Sequence, residues 1–349
     1  MTDETNLNLF QQQEANRRRT VWLVIGFILF FAWLGFGGDV IYYLSTAAAP
    51  PNAYHHTFPW FGILLTAVGA GFARYGYVTG AKKVLWSTGA HELLQPTTDK
   101  ERQLVNVVEE MAIAASLPRP RIWIVPDPDP NAFATGVDAN HANVAVTQGL
   151  LDLCTRDELQ GVIGHELGHV KNLDVRLMTT LAALVGAVAL MHDGMGRLMA
   201  SGFRMGGGGG GGGSRGGKKG GLGQLAIVLL VVWIITWVLA PIITQLLAMA
   251  VSRKREYLAD AMGAQFTRNP MALATALQKI DAAAAPTTSI KRGAAHLCIE
   301  DPLGRRANLR EGFLANVFAT HPPMAMRIAR LRGMAYQRLK AEGQLPTSP

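Results

Sequence analysis

The apolar residues of this chain are gathered into long uncharged runs, and those runs constrain its fold more than any other feature. Thr20 to Gly38 carries no charged side chain and is long enough to span a bilayer core. A second run extends from Trp60 to about Val78, with Arg74 close enough to its end to snorkel to the interface. Apolar residues return at Leu177–Met191 and again at Leu222–Val251, where Pro241 predicts a kink. Hydrophobic residues form 49% of the chain and charged residues 17%, so the runs are not offset by an ordinary soluble surface. Arg17 to Arg19 and Lys82-Lys83 flank the first two runs on the outside, while residues 45–59 between them have no Lys or Arg. The positive-inside bias therefore places the N-terminus and the segment after Lys82 in the cytoplasm. Small residues at Ala47–Ala49 offer a signal-peptide alternative, but the first run is too long for a signal core and reads as an uncleaved anchor.

The net charge of +8 does not indicate a nucleic-acid partner, because Lys and Arg are scattered and no basic stripe is interleaved with aromatics. Two cysteines, Cys154 and Cys298, cannot build a disulfide framework and read as buried thiols in a reducing compartment. The expected fold class is mostly α with a small β-sheet: integral membrane helices joined to a soluble α+β domain. The expected organisation is a polar extension over 1–19, frayed up to residue 16, and two transmembrane helices within 20–81. The first half of a cytoplasmic domain follows at 82–176, then a hydrophobic hairpin at 177–251 with a Gly-rich linker at about 201–223, and the second half at 252–349. Within the soluble part, helical spacing over 99–117 is stopped by Pro118 and Pro120. Arg121–Val125 and Asn143–Thr147 read as strands. Thr155 with Glu158 is a capping box that starts a helix running through residue 169. Further helical patterns cover Arg255–Phe266, Met271–Ile280 and the segment after Pro323.

On the capped helix lies His165-Glu-Leu-Gly-His169, an HExxH pattern. Two His at i and i+4 share one helix face, so both imidazoles reach a single Zn²⁺. Glu166 points around the helix from that pair, where it can hold a water at the metal and take its proton. A catalytic zinc needs a third protein ligand. Glu256 and Asp260, again i and i+4, offer one carboxylate for the metal and one to orient a ligating His; the plainer alternative is a solvated acidic face beside Arg253–Arg255. Asn131-Ala132-Phe133 opens a segment ending at Gly136 that reads either as a turn between strands or as an exposed sheet edge able to pair with an extended peptide. His321 stands before two prolines where a helix starts, so it is either a plain cap or, with Arg327, a donor to an oxyanion.

These motifs, in this order, resemble the HtpX family of membrane metalloproteases, and more distantly the CAAX prenyl endopeptidases. The likeness covers roughly residues 82–340 with the flanking apolar helices, and it implies that the soluble part is a zincin-type metalloprotease domain. It implies one Zn²⁺ held by His165, His169 and Glu256, with Asp260 as a partner to a ligand. It also implies that Asn131, Ala132 and Phe133 border the substrate strand, and that His321 and Arg327 face the tetrahedral intermediate. The implied partners are polypeptides, misfolded membrane proteins above all, and the lipid bilayer; the implied place is a bacterial inner membrane with the site facing the cytoplasm. The polar N-terminal extension and the Gly206–Gly213 linker depart from shorter members. Two other classes are weighed against this. A silent scaffold has no need of Glu166, and a transporter predicts paired ionisable groups within the spans, where only Arg74 intrudes. Because Glu256 must reach the zinc, the chain between residues 169 and 256 crosses the membrane twice or not at all. Apolarity of Leu222–Val251 favours two crossings, although its flanking Arg and Lys oppose that bias.

Overall fold

The computed structural model describes residues 9–47, 49–188, 254–283, 297–299 and 322–342, with isolated helical positions between 227 and 239. The described residues are mostly helical with one small mixed sheet and two helices long and apolar enough to cross a membrane, the class read from the sequence. The last residues of the third apolar run (189–191), most of the fourth and the whole polyglycine linker lie outside them, and the expectations about the path of the chain there lie outside them too.

Two compact units are formed, one from 1–20, 77–183 and 247–349, the other from 21–76 and 184–246. Helices α1 (Leu9–Thr46) and α2 (Trp60–Ser87) contribute to both. In the second unit, Phe27, Phe31, Ala73, Leu184 and Val188 form a small cluster. Asp39 is buried there with His56, its Oδ1 2.7 Å from His56 Nε2, and its Oδ2 accepts the Gly62 amide at 2.6 Å. An otherwise unpaired first-turn amide of α2 is thereby satisfied, so the carboxylate inside α1 serves as a helix cap.

The first unit holds the sheet. Its order is β1 (His91–Glu92), β2 (Arg121–Val125), β4 (Asn143–Thr147) and β3 (Ala132–Thr135). β2 and β4 run parallel, and the two outer pairs are antiparallel. Side chains alternate between two covered faces: Ile122, Ile124, Val144 and Val146 join the main core, while Trp123, Val125, Phe133 and Ala145 join a second cluster. Covering both faces explains why β2 and β4 read as continuous apolar runs.

Helix α3 (Asp99–Ala115) starts at a Thr98–Glu101 capping box and stops at Ser116 in the left-handed region. Short α4 (Gln148–Leu153) leads into α5 (Arg156–Lys171), which begins at the expected Thr155–Glu158 box. Residues 174–188 form α6. Then come α7 (Lys254–Thr267), α8 (Pro270–Ala282) and α9 (Met324–Ala341). Two expectations need correction. Residues 9–16 are not frayed: α1 already begins at Leu9, and Gln13 and Asn16 hydrogen-bond to the end of α5 and the chain just after it. Nor is the outer edge of β3 open: Ile299 donates its amide to Ala132 O at 2.9 Å and Cys298 pairs with Phe133. A buried strand edge needs partners for its backbone groups, and residues 297–299 supply them.

Candidate active site

α5 carries His165 and His169 one turn apart, both rings on one face at 4.8 Å and nearly perpendicular. Their Nε2 atoms point at a common locus, 3.2 Å from each other. Glu256 enters that locus from α7, with Oε1 3.5 Å from His169 Nε2 and Oε2 3.7 Å from His165 Nε2. The helices come this close because small residues line the contact. A Cβ at Gly263 of α7 would sit 2.9 Å from His165 N, and one at Gly161 of α5 would sit 2.8 Å from Leu273 N on α8. Larger side chains there would push α7 and α8 away from the histidines.

One ligand atom from each of His165, His169 and Glu256 lies within 4.8 Å of the others. Zinc bound at about 2.0 Å by three corners of a tetrahedron places those corners about 3.3 Å apart, close to the spacings observed. Two imidazoles and one carboxylate are also the donor set of a catalytic rather than a structural ion. The residues present therefore suit a zinc-sized cation.

Glu166, the residue after His165 in the motif, is buried, and among the described residues neither carboxylate oxygen accepts a hydrogen bond of ordinary geometry. Burial pushes its pKa up to about 7, against the opposing pull of His169 and a nearby Ala134 amide. A carboxylate so poised near neutrality can both accept and return a proton.

Residues 98–335 match the profile of Peptidase family M48, and that match covers more than half of the chain. This chain belongs to peptidase family M48. It is 38% identical over 328 residues to a Protease HtpX homolog of Lactiplantibacillus plantarum, covering 93% of this chain and 100% of the relative. It is 40% identical over 277 residues to a Protease HtpX homolog of Tropheryma whipplei, covering 79% of this chain and 87% of that one. Among solved structures, S. mikatae Ste24p is similar with a TM-score of 0.43 at 18% identity, covering 89% of this chain and 66% of that one. The M48 chain is accordingly a metalloendopeptidase acting on peptides.

Around the M48 histidines the structure places two carboxylates. Asp260, one turn after Glu256, lies 2.9 Å from His165 Nδ1. Asp174, at the start of α6, lies 3.1 Å from His169 Nδ1. Each histidine thus has its second nitrogen held while Nε2 faces the locus, the arrangement that fixes tautomer and ring orientation. Burial opposes ionisation of Asp260, but Arg327 and then His165 bring its pKa down to about 2. Sequence reasoning missed Asp174; its signal was an acidic residue just past the C-terminal end of the HExxH helix.

Arg327 stands elsewhere than its assigned role required. Its Nε and Nη2 donate to Asp260 at 2.9 and 2.7 Å, and Nη1 donates to Ile299 O at 2.8 Å. The guanidinium is fully buried and 3.6 Å from Glu256 Oε2, so it braces both carboxylates of α7 rather than presenting a free edge to an oxyanion. His321 lies outside the described residues. Asn131, Ala132 and Phe133 are all buried, with Asn131 amide bonded to Thr147 Oγ1 and Ala132 O to Ile299.

Proposed function

We propose that this M48 chain is a membrane-bound zinc endopeptidase in which His165, His169 and Glu256 hold the ion and Glu166 moves the proton. The convergence of two Nε2 atoms and one carboxylate on a single locus carries this reading. A zinc ion there supplies Lewis acidity towards the scissile carbonyl and lowers the pKa of water. Glu166 accepts a proton from the attacking water, then returns it to the departing amine. Asp260 and Asp174 keep the two imidazoles aimed, and Arg327 keeps Asp260 ionised and in place. His321, adjoining Pro322 at the approach to α9, is the remaining candidate donor to the developing oxyanion.

An extended substrate pairs along Asn131–Phe133 by β-augmentation on this reading, and it competes with residues 297–299 for the same edge. The substrates are misfolded or damaged membrane proteins, and the site faces the cytoplasm of a bacterial inner membrane. Two supports for that location are the long apolar helices and the Arg17–Arg19 and Lys82-Lys83 flanks. The chain divides functionally as 1–19, 20–81, 82–176, 177–251 and 252–349, with the site assembled from the third and fifth segments.

Replacing Glu166 by Gln in purified, zinc-loaded full-length protein tests the catalytic reading. Hydrolysis of an unfolded polypeptide should fall by at least about 10²-fold with zinc still bound. Unchanged cleavage with bound zinc would overturn the proton-transfer role of Glu166, and a zinc-loaded wild type that cleaves nothing would make the site structural and the chain a scaffold.

A further inference from the structure

The second nitrogen of His169 is held by Asp174, and Asp174 is itself held from an unexpected direction. Its Oδ2 lies 3.1 Å from His169 Nδ1, while its Oδ1 accepts a hydrogen bond from Asn16 Nδ2 at 2.6 Å. The same Asn16 amide donates to Asn172 O at 3.0 Å, at the point where the chain leaves α5. Asn16 is 4% exposed and Asp174 1% exposed, so water cannot substitute cheaply for either bond. One turn earlier, Gln13 Nε2 donates to Lys171 O at 2.6 Å, and one turn later Thr20 Oγ1 bonds back to Asn16 O. From the other side, Arg255 Nη1 stands 3.7 Å from the same Asp174 oxygen, next in sequence to Glu256.

We infer that Asn16 is a positioning residue for the metal centre, acting through Asp174 on the imidazole of His169. The polar turn that leads into the first apolar helix is thereby part of the catalytic scaffold. Two facts make this more than helix docking. The Asn16 amide donates to the one Asp174 oxygen that is not turned to His169, so it fixes the rotation of the carboxylate that aims the ring. The same amide also holds Asn172 O, two residues before Asp174 opens α6. Gln13, one turn earlier on α1, donates to the backbone of α5 and serves as the internal control.

The inference rests on His169 being a ligand, and zinc affinity separates the two claims. Full-length protein in lipid or detergent, as wild type, Asn16→Ala and Gln13→Ala, would be titrated with zinc against a chelator of known affinity. kcat and KM on an unfolded polypeptide would be measured alongside. Asn16→Ala should weaken zinc about tenfold, the low end for groups that support a ligand from behind, and should lower kcat with KM little changed. Gln13→Ala should leave zinc affinity within about twofold, below the range seen for partners of ligands. Asn16→Ser, which keeps a donor at shorter reach, provides an intermediate loss in a chain less perturbed than the alanine variant. Wild-type zinc affinity in Asn16→Ala and Asn16→Ser, with only the melting temperature lowered, overturns the inference and leaves the metal reading standing. A wild-type chain that binds no zinc overturns both.

Discussion

Arg327 is fully buried and holds both oxygens of Asp260, one from Nε and one from Nη2. Its own charge is held firmly on: burial opposes it, but Asp260 and Glu256 outweigh that and raise its pKa. Removing one member of such a pair leaves the other charge uncompensated in a desolvated place. Arg327→Met should cost about 3–5 kcal/mol of folding stability, measurable by denaturant unfolding of the zinc-free protein. Asp260→Asn is a gentler probe. It keeps the shape beside His165 but weakens the charge-assisted hold on Nδ1, so zinc affinity should drop about 10–100-fold in chelator competition. A stability loss without any change in metal affinity would separate Asp260 from the histidine.

Helices α5 and α7 carry the ligand residues, α8 packs against α5, and their spacing is set by glycines at the crossings. Gly263→Ala introduces a methyl against the backbone of His165, for which the only relief is movement of α7 and therefore of Glu256. The expected destabilisation is about 1–3 kcal/mol, accompanied by weaker zinc binding, both readable in one titration-and-melting series. At the start of α5, Glu158 closes the capping box and accepts Lys279 Nζ from α8 at 2.7 Å. Burial opposes its ionisation, but Lys279 and the Thr155 amide prevail and hold its pKa below the ordinary carboxyl value. With the folded pKa depressed, this contribution is complete above the unfolded carboxyl range, near pH 4.3, and is lost as pH falls through the folded value. Glu158→Gln should therefore lower the melting temperature at neutral pH and converge with wild type in acid.

At the scale of the whole molecule, the site joins residues from 165–174 to residues from 256–260 and Arg327. An ion bound across such a joint stabilises the folded state by mass action. Zinc held at 100 times its dissociation constant should add about 2.7 kcal/mol, lost on chelation and regained on re-addition, as a melting series would show. Proteolysis of oriented vesicles at the Gly206–Gly213 linker would decide between two crossings and none, since cleavage from the outside only requires a spanning pair.

The sequence by itself determined the elements and the motif-bearing helix. Capping boxes, proline stops and helical periodicity act within a few residues, so α3, α5 and strands β2 and β4 were legible from local chemistry. Two histidines four residues apart must share a face, which makes the pairing of His165 with His169 a local fact as well. Only the tertiary structure decided what lies behind those residues. Asn16 reaches Asp174 across 158 positions and Arg327 reaches Asp260 across 67. Neither contact leaves a periodic trace in either segment, and a polar residue before an apolar run looks the same whether it is solvated or bound. The sealed edge of β3 was hidden for the same reason. Backbone groups must find partners, but nothing local says which distant stretch will supply them.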